Sequence, residues 1–147
     1  MKKLFITLLT AICLLSCEGP AGPMGPAAEQ TQWKYVYYTV EDRHWNLVGQ
    51  IGDLNSFYEF SFEEPSLTDF IYSEGVVMGY AVDNPQTRDE ILRPLPDTWP
   101  VGEDTNLWTE SVTFAYKPGL VTFYVGYSDF ATNVRPPTMT FKIMMIW

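Results

Sequence analysis

Large apolar side chains alternate with smaller or polar ones in the second half of this chain. Valine, phenylalanine, valine and tyrosine occupy every second position from Val121 to Tyr127, and a similar run covers 111–116. Strict alternation of this kind predicts β-strands with one buried face. Between the runs, Lys117-Pro118-Gly119 places proline and glycine in the order that a tight turn favours. The two runs are therefore predicted to pair as an antiparallel hairpin.

Further strands are predicted on both sides of this hairpin. The C-terminal run from Met139 to Trp147 has apolar residues on both faces near its end. Because such a strand needs cover on both faces, we expect it at the centre of a sheet. Four other runs rich in aromatic and β-branched residues are predicted strands: Trp33–Val40, Trp45–Gln50, Phe57–Glu63 and Val76–Asp83.

One segment favours a helix instead. It begins at Pro65-Ser66-Leu67-Thr68-Asp69, where Ser66 is the predicted N-cap and Asp69 holds the partner position of a capping box. Apolar residues follow at helical spacing until a glycine, which is a common helix end. The pattern predicts a short helix over 67–74, with a strand over 70–72 as the alternative.

Prolines interrupt the stretch from Asn84 to Asn106. Four of them lie there among polar residues, which excludes a continuous central strand. We expect a long loop or an irregular hairpin at a sheet edge. About seven short strands with turns between them and one short helix predict an all-β fold, an antiparallel β-sandwich. A partly open β-barrel is the alternative.

The N-terminus has the features of an export signal. Met1-Lys2-Lys3 is basic, and the apolar run Leu4–Leu15 is shorter than the roughly twenty residues of a membrane-spanning helix. Leu14-Leu15-Ser16-Cys17 resembles the lipobox of bacterial lipoproteins, in which the cysteine is acylated and becomes the mature N-terminus. We expect a signal peptide over 1–16 and lipid on Cys17. The alternative is an ordinary signal that leaves Cys17 as a free thiol.

A collagen-like phrase follows the cysteine. Residues 19–27 are Gly-Pro-X triplets, too few for a stable triple helix, so a spacer is predicted rather than a trimerisation segment. In polyproline II conformation, at about 3.1 Å per residue, Glu18–Gln30 would span up to roughly 40 Å. We expect a linker over 17–31 and one domain over 32–147, which is long enough to bury its own core.

These features together resemble a known group of proteins. The lipobox, the Gly-Pro-X linker, the aromatic strand-rich domain and the ending from Pro136-Pro137-Thr138 to Trp147 are similar to uncharacterised lipoproteins of Gram-negative gut commensals. The resemblance spans most of the chain. It implies a lipid-anchored location at the outer membrane and a β-rich fold. It supplies no functional residues and leaves the periplasmic and outer faces of the membrane as alternatives.

Charge and cysteine content exclude several functions. The formal charge of −9 becomes −11 once Lys2 and Lys3 leave with the signal. Such an acidic protein is not expected to bind nucleic acid or to hold anionic membranes electrostatically. Both cysteines belong to the signal and the anchor. The domain is therefore predicted to have no disulfide, cysteine nucleophile or thiolate metal site.

The sequence offers little for catalysis. His44 is the only histidine, and Asp42 is too close along the chain to orient it as in a Ser-His-Asp triad. We expect an exposed or edge histidine. The adjacent carboxylates at 63–64, 89–90 and 103–104 would point to opposite faces of an extended chain rather than across a cleft. The protein is predicted not to be an enzyme, and a hydrolase ranks third among its functions.

Calcium is the one metal that the sequence favours. The predicted loop over 102–106 offers hard oxygen ligands on Glu103, Asp104 and Asn106. Three further oxygen-bearing side chains are predicted to approach it: Asp83, Asn84 and Asp97. The spacing matches no EF-hand, and a solvated acidic loop is the alternative. No other cofactor is predicted.

Aromatic residues exceed what a small core needs. Five tryptophans, nine tyrosines and nine phenylalanines are present, so some rings are expected on the surface, where they stack on a sugar face or anchor a protein partner. Trp99, in the proline-rich stretch, and Trp45, beside His44, are the predicted ligand-binding residues. The alternative is that these rings fill the ends of the sandwich.

Two functions of different classes follow from these patterns. The first is a non-catalytic binding or accessory module that recognises a glycan or a protein at the cell envelope. The second is a structural subunit of an envelope or surface assembly, joined through sheet edges that accept another strand.

Overall fold

Nine β-strands in two antiparallel sheets make up most of the computed structural model, which describes residues 31–103 and 106–147. The strands are β1 (Trp33–Val40), β2 (Asn46–Val48), β3 (Phe57–Glu64), β4 (Val76–Asp83), β5 (Ile91–Pro94), β6 (Asp97–Glu103), β7 (Asn106–Lys117), β8 (Gly119–Tyr127) and β9 (Met139–Ile146). A four-stranded sheet has the order β1-β9-β4-β5, and a five-stranded sheet has the order β2-β3-β8-β7-β6. The described strands do not close into a barrel. The predicted β-sandwich is confirmed, with nine strands in place of about seven.

The predicted hairpin forms the middle of the five-stranded sheet. β7 and β8 pair antiparallel with Val112 opposite Val125. Gly119 has a φ of +76°, the left-handed value that the third position of a Pro-Gly turn requires. The alternating residues Val121, Phe123 and Val125 are fully buried. Their alternation therefore marks the inner face of this sheet.

β9 lies at the centre of the four-stranded sheet, as its two apolar faces predicted. It pairs with β1 on one side and β4 on the other. Phe141, Ile143 and Met145 point inward and are fully buried. Phe141 stacks on Phe123 of the opposite sheet with ring centroids 4.0 Å apart and planes 12° from parallel. This pair joins the two sheets at the middle of the core.

The outer face of the four-stranded sheet also carries aromatic residues. Trp33, Tyr35 and Tyr37 share this face of β1, and the Trp33 and Tyr35 rings stack with centroids 5.9 Å apart. The Lys142 ammonium on β9 lies 4.8 Å from the Tyr35 ring centroid and 5.1 Å from that of Tyr37. Part of the aromatic surplus therefore covers a sheet from outside.

The predicted helix is present but begins later than expected. α1 covers Asp69–Glu74, and the Thr68 hydroxyl caps it by accepting from the Ile71 N–H at 3.2 Å. The prediction of Ser66 as N-cap is wrong, because its hydroxyl and its N–H both donate to the Glu64 carboxylate.

No helix among the described residues has both the length and the apolar character needed to cross a bilayer.

The proline-rich stretch forms two edge strands rather than a loop or a hairpin. β5 lies at the edge of the four-stranded sheet and β6 at the edge of the five-stranded sheet. Pro94 ends β5, and Pro100 lies within β6. Edge positions tolerate proline because one side of the strand needs no hydrogen bonds. The prolines thus correctly excluded a central strand but did not exclude strands.

The two ends of the sandwich differ. At the entry end, where the chain enters β1, Lys34 forms an ion pair with Glu64 at 3.5 Å, and Gln32 and Trp147 exchange two backbone hydrogen bonds. Burial acts to raise the pKa of Glu64, but hydrogen bonds from Ser66 and from Tyr38, together with the Lys34 charge, outweigh it and lower that pKa. The far end lies beyond the last residues of β8.

The predicted signal peptide over 1–16, Cys17 and most of the linker over 17–31 lie outside the described residues.

Candidate functional site

Three neighbouring strands place one residue each in a row across the inner face of the five-stranded sheet. Trp99 on β6 is paired with Glu110 on β7, and Glu110 is paired with Tyr127 on β8. Alternation from the buried Val112 puts Glu110 on the inner face. Directly paired residues of antiparallel strands have Cβ atoms about 4.5–5.5 Å apart. A carboxylate therefore lies between an indole and a phenol.

A second tryptophan lies beside this row along the same strand. Trp108 precedes Glu110 by two residues, so both side chains point to the same face of β7. Glu110 therefore has aromatic neighbours on three sides, and the buried Val112 on the fourth. All three aromatic residues and Glu110 are only partly buried, which leaves them accessible from solvent.

Beyond these residues the inner face is covered by loops rather than by strands, and a cleft opens at the far end of the sandwich. Its volume is about 520 Å³, within the range of about 300–1,000 Å³ that is usual for ligand sites. The cleft is lined by Asn106, Trp108, Glu110, Tyr127, Asp129, Ala131, Asn133, Val134, Arg135 and Pro137. It thus combines two aromatic rings with charged and amide side chains.

A second hollow adjoins the cleft on the other side of Glu110. It has a volume of about 570 Å³ and contains Trp99 and Arg93. The Arg93 guanidinium carbon lies 4.8 Å from the Trp99 ring centroid. Its nitrogens form ion pairs with Asp83 at 3.1 Å and Asp97 at 3.0 Å. The charge of Arg93 is therefore balanced by two aspartates.

Glu110 is the least satisfied charged group in the cleft. Within residues 31–103 and 106–147, no group donates a hydrogen bond to its carboxylate and none forms an ion pair with it. Burial raises the pKa of Glu110, and the positive charge of Arg93 offsets part of the rise. Burial and the Glu110 charge also raise the pKa of Tyr127. Tyr127 is therefore a neutral hydroxyl that can donate a hydrogen bond.

The loop over 128–138, which forms one wall of the cleft, is held by buried hydrogen bonds. Thr132 is fully buried, and its carbonyl accepts from the Tyr58 hydroxyl at 2.6 Å while its hydroxyl lies 3.0 Å from that of Ser56. The indole N–H of Trp45 donates to the Pro137 carbonyl at 3.1 Å. Because these contacts fix the loop from below, the cleft wall is preformed.

The two tryptophans predicted to bind a ligand have different environments. Trp99 lies in strand β6 rather than in a loop, and its ring lines the second hollow. Trp45 is only 1% exposed and packs edge-on against Phe141, so the prediction that it faces a ligand is wrong. Its role is structural. His44 is exposed on a 3₁₀ turn (Asp42–His44), as predicted for an edge histidine.

The calcium prediction stays untested, because the side chains of Glu103 and Asp104 lie outside the part of the chain that the structure describes. The described residues by themselves contain no group of three histidine, cysteine or acidic side chains placed to hold a metal ion. Asp83 and Asp97, expected to approach the site, flank Arg93 instead. Asn106 lines the cleft and is paired with Glu103 across β6 and β7.

Three residues of the cleft escaped sequence reasoning: Trp108, Glu110 and Tyr127. The sequence does carry a signal for the first two, since alternation on β7 continues backwards from Val112 through Glu110 to Trp108. The predicted strand began too late to include them. Tyr127 falls on the buried face of the predicted strand that starts at Val121, but nothing nearby in the sequence indicates that its end of the sheet is open.

Comparison with known proteins adds no constraint. No protein-family model matches this sequence, and no curated protein or solved structure matches it. What the cleft can do must follow from its own chemistry. Aromatic faces beside carboxylate, amide and hydroxyl groups suit a ligand with apolar and hydrogen-bonding surfaces.

Proposed function

We propose that this protein is a non-catalytic, lipid-anchored envelope protein whose β-sandwich binds a glycan segment in the far-end cleft. The observation that carries the proposal is the grouping of Trp108, Glu110 and Tyr127 in one preformed cleft. A sugar ring offers an apolar face to an indole and hydroxyl groups around its rim. Glu110 can accept hydrogen bonds from those hydroxyls, and the neutral Tyr127 hydroxyl can donate one.

The position of the cleft supports an anchored receptor. The chain enters the domain at Thr31, and β8 then spans the sandwich from Gly119 at the entry end to Tyr127 beside the cleft. At about 3.4 Å per residue, this strand separates the two ends by roughly 27 Å. A tether that ends in lipid on Cys17 would therefore leave the cleft at the end opposite its attachment. We propose the outer membrane as the location, with either face open to test.

Alanine at Trp108 is the direct test of glycan binding. We expect a glycan array probed with the soluble domain to show binding that falls at least about tenfold with Trp108→Ala, because one aromatic anchor carries about 1.4 kcal/mol or more. Trp99 lines the adjoining hollow, so Trp99→Ala is expected to reduce binding by less. Trp33→Ala is the matched control, since it removes an indole that is 63% exposed on the outer face.

Two results would contradict this proposal. If no glycan on the array binds, or if Trp33→Ala reduces binding as much as Trp108→Ala, the cleft is not a glycan site. Release of shortened glycan during the assay would contradict the non-catalytic part. Equal urea midpoints for parent and variants exclude unfolding as the cause of a loss.

A structural subunit is the second candidate function, and the sheet edges favour it at one place. β1 is an eight-residue edge strand without proline, whereas β2 has three residues and β5 has four. A long unblocked edge can accept a strand from another chain. Cross-linking in cells should then give ladders above the monomer. Recovery of monomer alone would exclude an assembly through β1.

A further inference from the structure

Glu110 and its three aromatic neighbours form a cage, which we define as Trp99, Trp108, Tyr127 and Glu110. We infer that this cage binds a protonated amine, so that the ligand of the cleft is an amine-bearing glycan. The inference rests on the proposed function and deepens it by naming the chemical class of the ligand. It makes the cage the element that sets specificity.

The cage has the composition of a cation receptor. Its members are direct neighbours, since Trp99 and Tyr127 are the cross-strand partners of Glu110 and Trp108 lies two residues away on the same face. Aromatic faces attract cations through their quadrupoles, and cages of such rings recognise organic ammonium groups. A carboxylate within the same cage adds a direct charge partner and a hydrogen-bond acceptor for the N–H groups.

The Glu110 carboxylate has no hydrogen-bond or ion-pair partner among the described residues. Glu110 is removed from water in part, and Arg93, whose charge also acts on it, forms its ion pairs with Asp83 and Asp97. A partly buried carboxylate without a partner is unfavourable, and a cation delivered by the ligand removes that penalty. The raised pKa of Glu110 reflects the same loss of hydration.

Trp99 already contacts one cation on the adjoining side. The Arg93 guanidinium carbon lies 4.8 Å from its ring centroid in the second hollow, so this side of the cage already holds a cation–π contact. The cleft lining carries two carboxylates, Glu110 and Asp129, against the single guanidinium of Arg135, so its net charge favours a cation over an anion. An organic ammonium group matches the aromatic rings and the carboxylate of the cage.

Three hexasaccharides with the same β-1,4 linkage separate the alternatives. Hexamers of glucosamine, N-acetylglucosamine and glucose carry an ammonium, an amide or a hydroxyl at the same ring position. Isothermal titration calorimetry should show the soluble domain binding the glucosamine hexamer at least about tenfold more tightly than the other two, which is about 1.4 kcal/mol, because only the ammonium makes a charge-assisted contact with Glu110. Glu110→Gln should reduce that affinity to the level of the neutral hexamers.

A charge-matched control is required because an acidic protein attracts any polycation. Glu63→Gln removes one exposed carboxylate from outside the cleft and should leave the preference for the glucosamine hexamer within about twofold, as expected for a solvated charge.

Glu110→Gln should melt no lower than the parent. Its pKa is raised, so the ionised carboxylate costs the folded state stability at neutral pH, and glutamine removes that cost.

The outcomes distinguish the two proposals. Equal affinity for the three hexamers, or equal losses with Glu110→Gln and Glu63→Gln, would overturn the amine inference and leave glycan binding in place. A wild-type domain that binds no glycan on the array and none of the hexamers would overturn both. Weaker binding of the glucosamine hexamer by Glu110→Gln, with the melting temperature retained, would support the cage.

Discussion

Replacing Phe123 with alanine is expected to destabilise the domain by about 3–5 kcal/mol, the usual cost of truncating a fully buried phenylalanine. Its ring is fully buried, and it stacks on Phe141 of the opposite sheet at 4.0 Å. Phe62 and Phe114 also contact it, at centroid distances of 6.0 and 6.4 Å. Removing the ring leaves a cavity where the two sheets meet, and this domain has no disulfide to compensate.

Urea unfolding monitored by tryptophan fluorescence measures this effect. Phe70→Ala is the matched control, because it removes the same side chain from a position on α1 that is 59% exposed. That change should cost less than about 0.5 kcal/mol, as is usual for surface substitutions. If the Phe123 and Phe70 variants unfold at the same urea concentration, the two sheets do not pack through Phe123 and Phe141.

Alanine at Trp45 is expected to cost about 3–5 kcal/mol and to loosen the cleft wall as well. The indole is 1% exposed, packs edge-on against Phe141 at 6.2 Å and donates its N–H to the Pro137 carbonyl at 3.1 Å. Its loss therefore removes core packing and one support of the loop over 128–138. Hydrogen exchange in that loop should accelerate more than exchange in β9.

Trp45→Phe separates these two effects. Phenylalanine keeps most of the apolar contact but has no N–H, so it should destabilise the domain by less than alanine while the Pro137 carbonyl loses its partner, a loss of about 1 kcal/mol. Exchange in the loop over 128–138 should still be faster than in the parent. Unchanged exchange in both variants would contradict the support that Trp45 gives to the cleft wall.

Local alternation was sufficient to predict most of the sandwich. The runs Trp33–Val40 and Val76–Asp83 are strands with the predicted bounds, and the central position of β9 followed from its two apolar faces. These properties depend on burial of one face of a strand. Residues two apart share that face, so the sequence shows its burial as an alternation of apolar and polar residues. The two edge strands of the proline-rich stretch are not predicted. An edge strand forms hydrogen bonds on one side only and so tolerates proline, but the sequence does not show which side of a strand is paired.

Contacts between distant residues explain the remaining errors. Ser66 and Thr68 are both good N-cap residues, and Thr68 takes the role because Glu64 engages Ser66. Glu64 is itself held by Lys34 and Tyr38 from β1. Likewise, Trp45 and Trp99 do not differ locally in any way that predicts burial. Trp45 is covered by β9 and by Pro137, roughly ninety residues later in the chain.

The cleft shows the same limit. Its floor comes from alternation on β7 and β8, but its existence depends on the absence of a strand above that floor. The loop over 128–138 takes the place of such a strand, and it is fixed there by Ser56 and Tyr58 from β3 and its approach. No pattern within the loop specifies these partners. The open inner face therefore depends on the arrangement of both sheets and cannot be predicted from any one segment.

The pairing of β1 with β9 determines how the domain would bear a force applied through the proposed tether. β1 enters beside Trp147 and runs towards the far end, paired with β9 along its full length from Trp33 to Val40. A pull between a ligand held at the far end and a tether at Thr31 would act along the axis of β1. Such a force is parallel to the strands, so all hydrogen bonds between β1 and β9 bear it together and do not break one after another. If the proposed lipid tether precedes Thr31, the strand that follows it is thus oriented to resist a pull along its own axis.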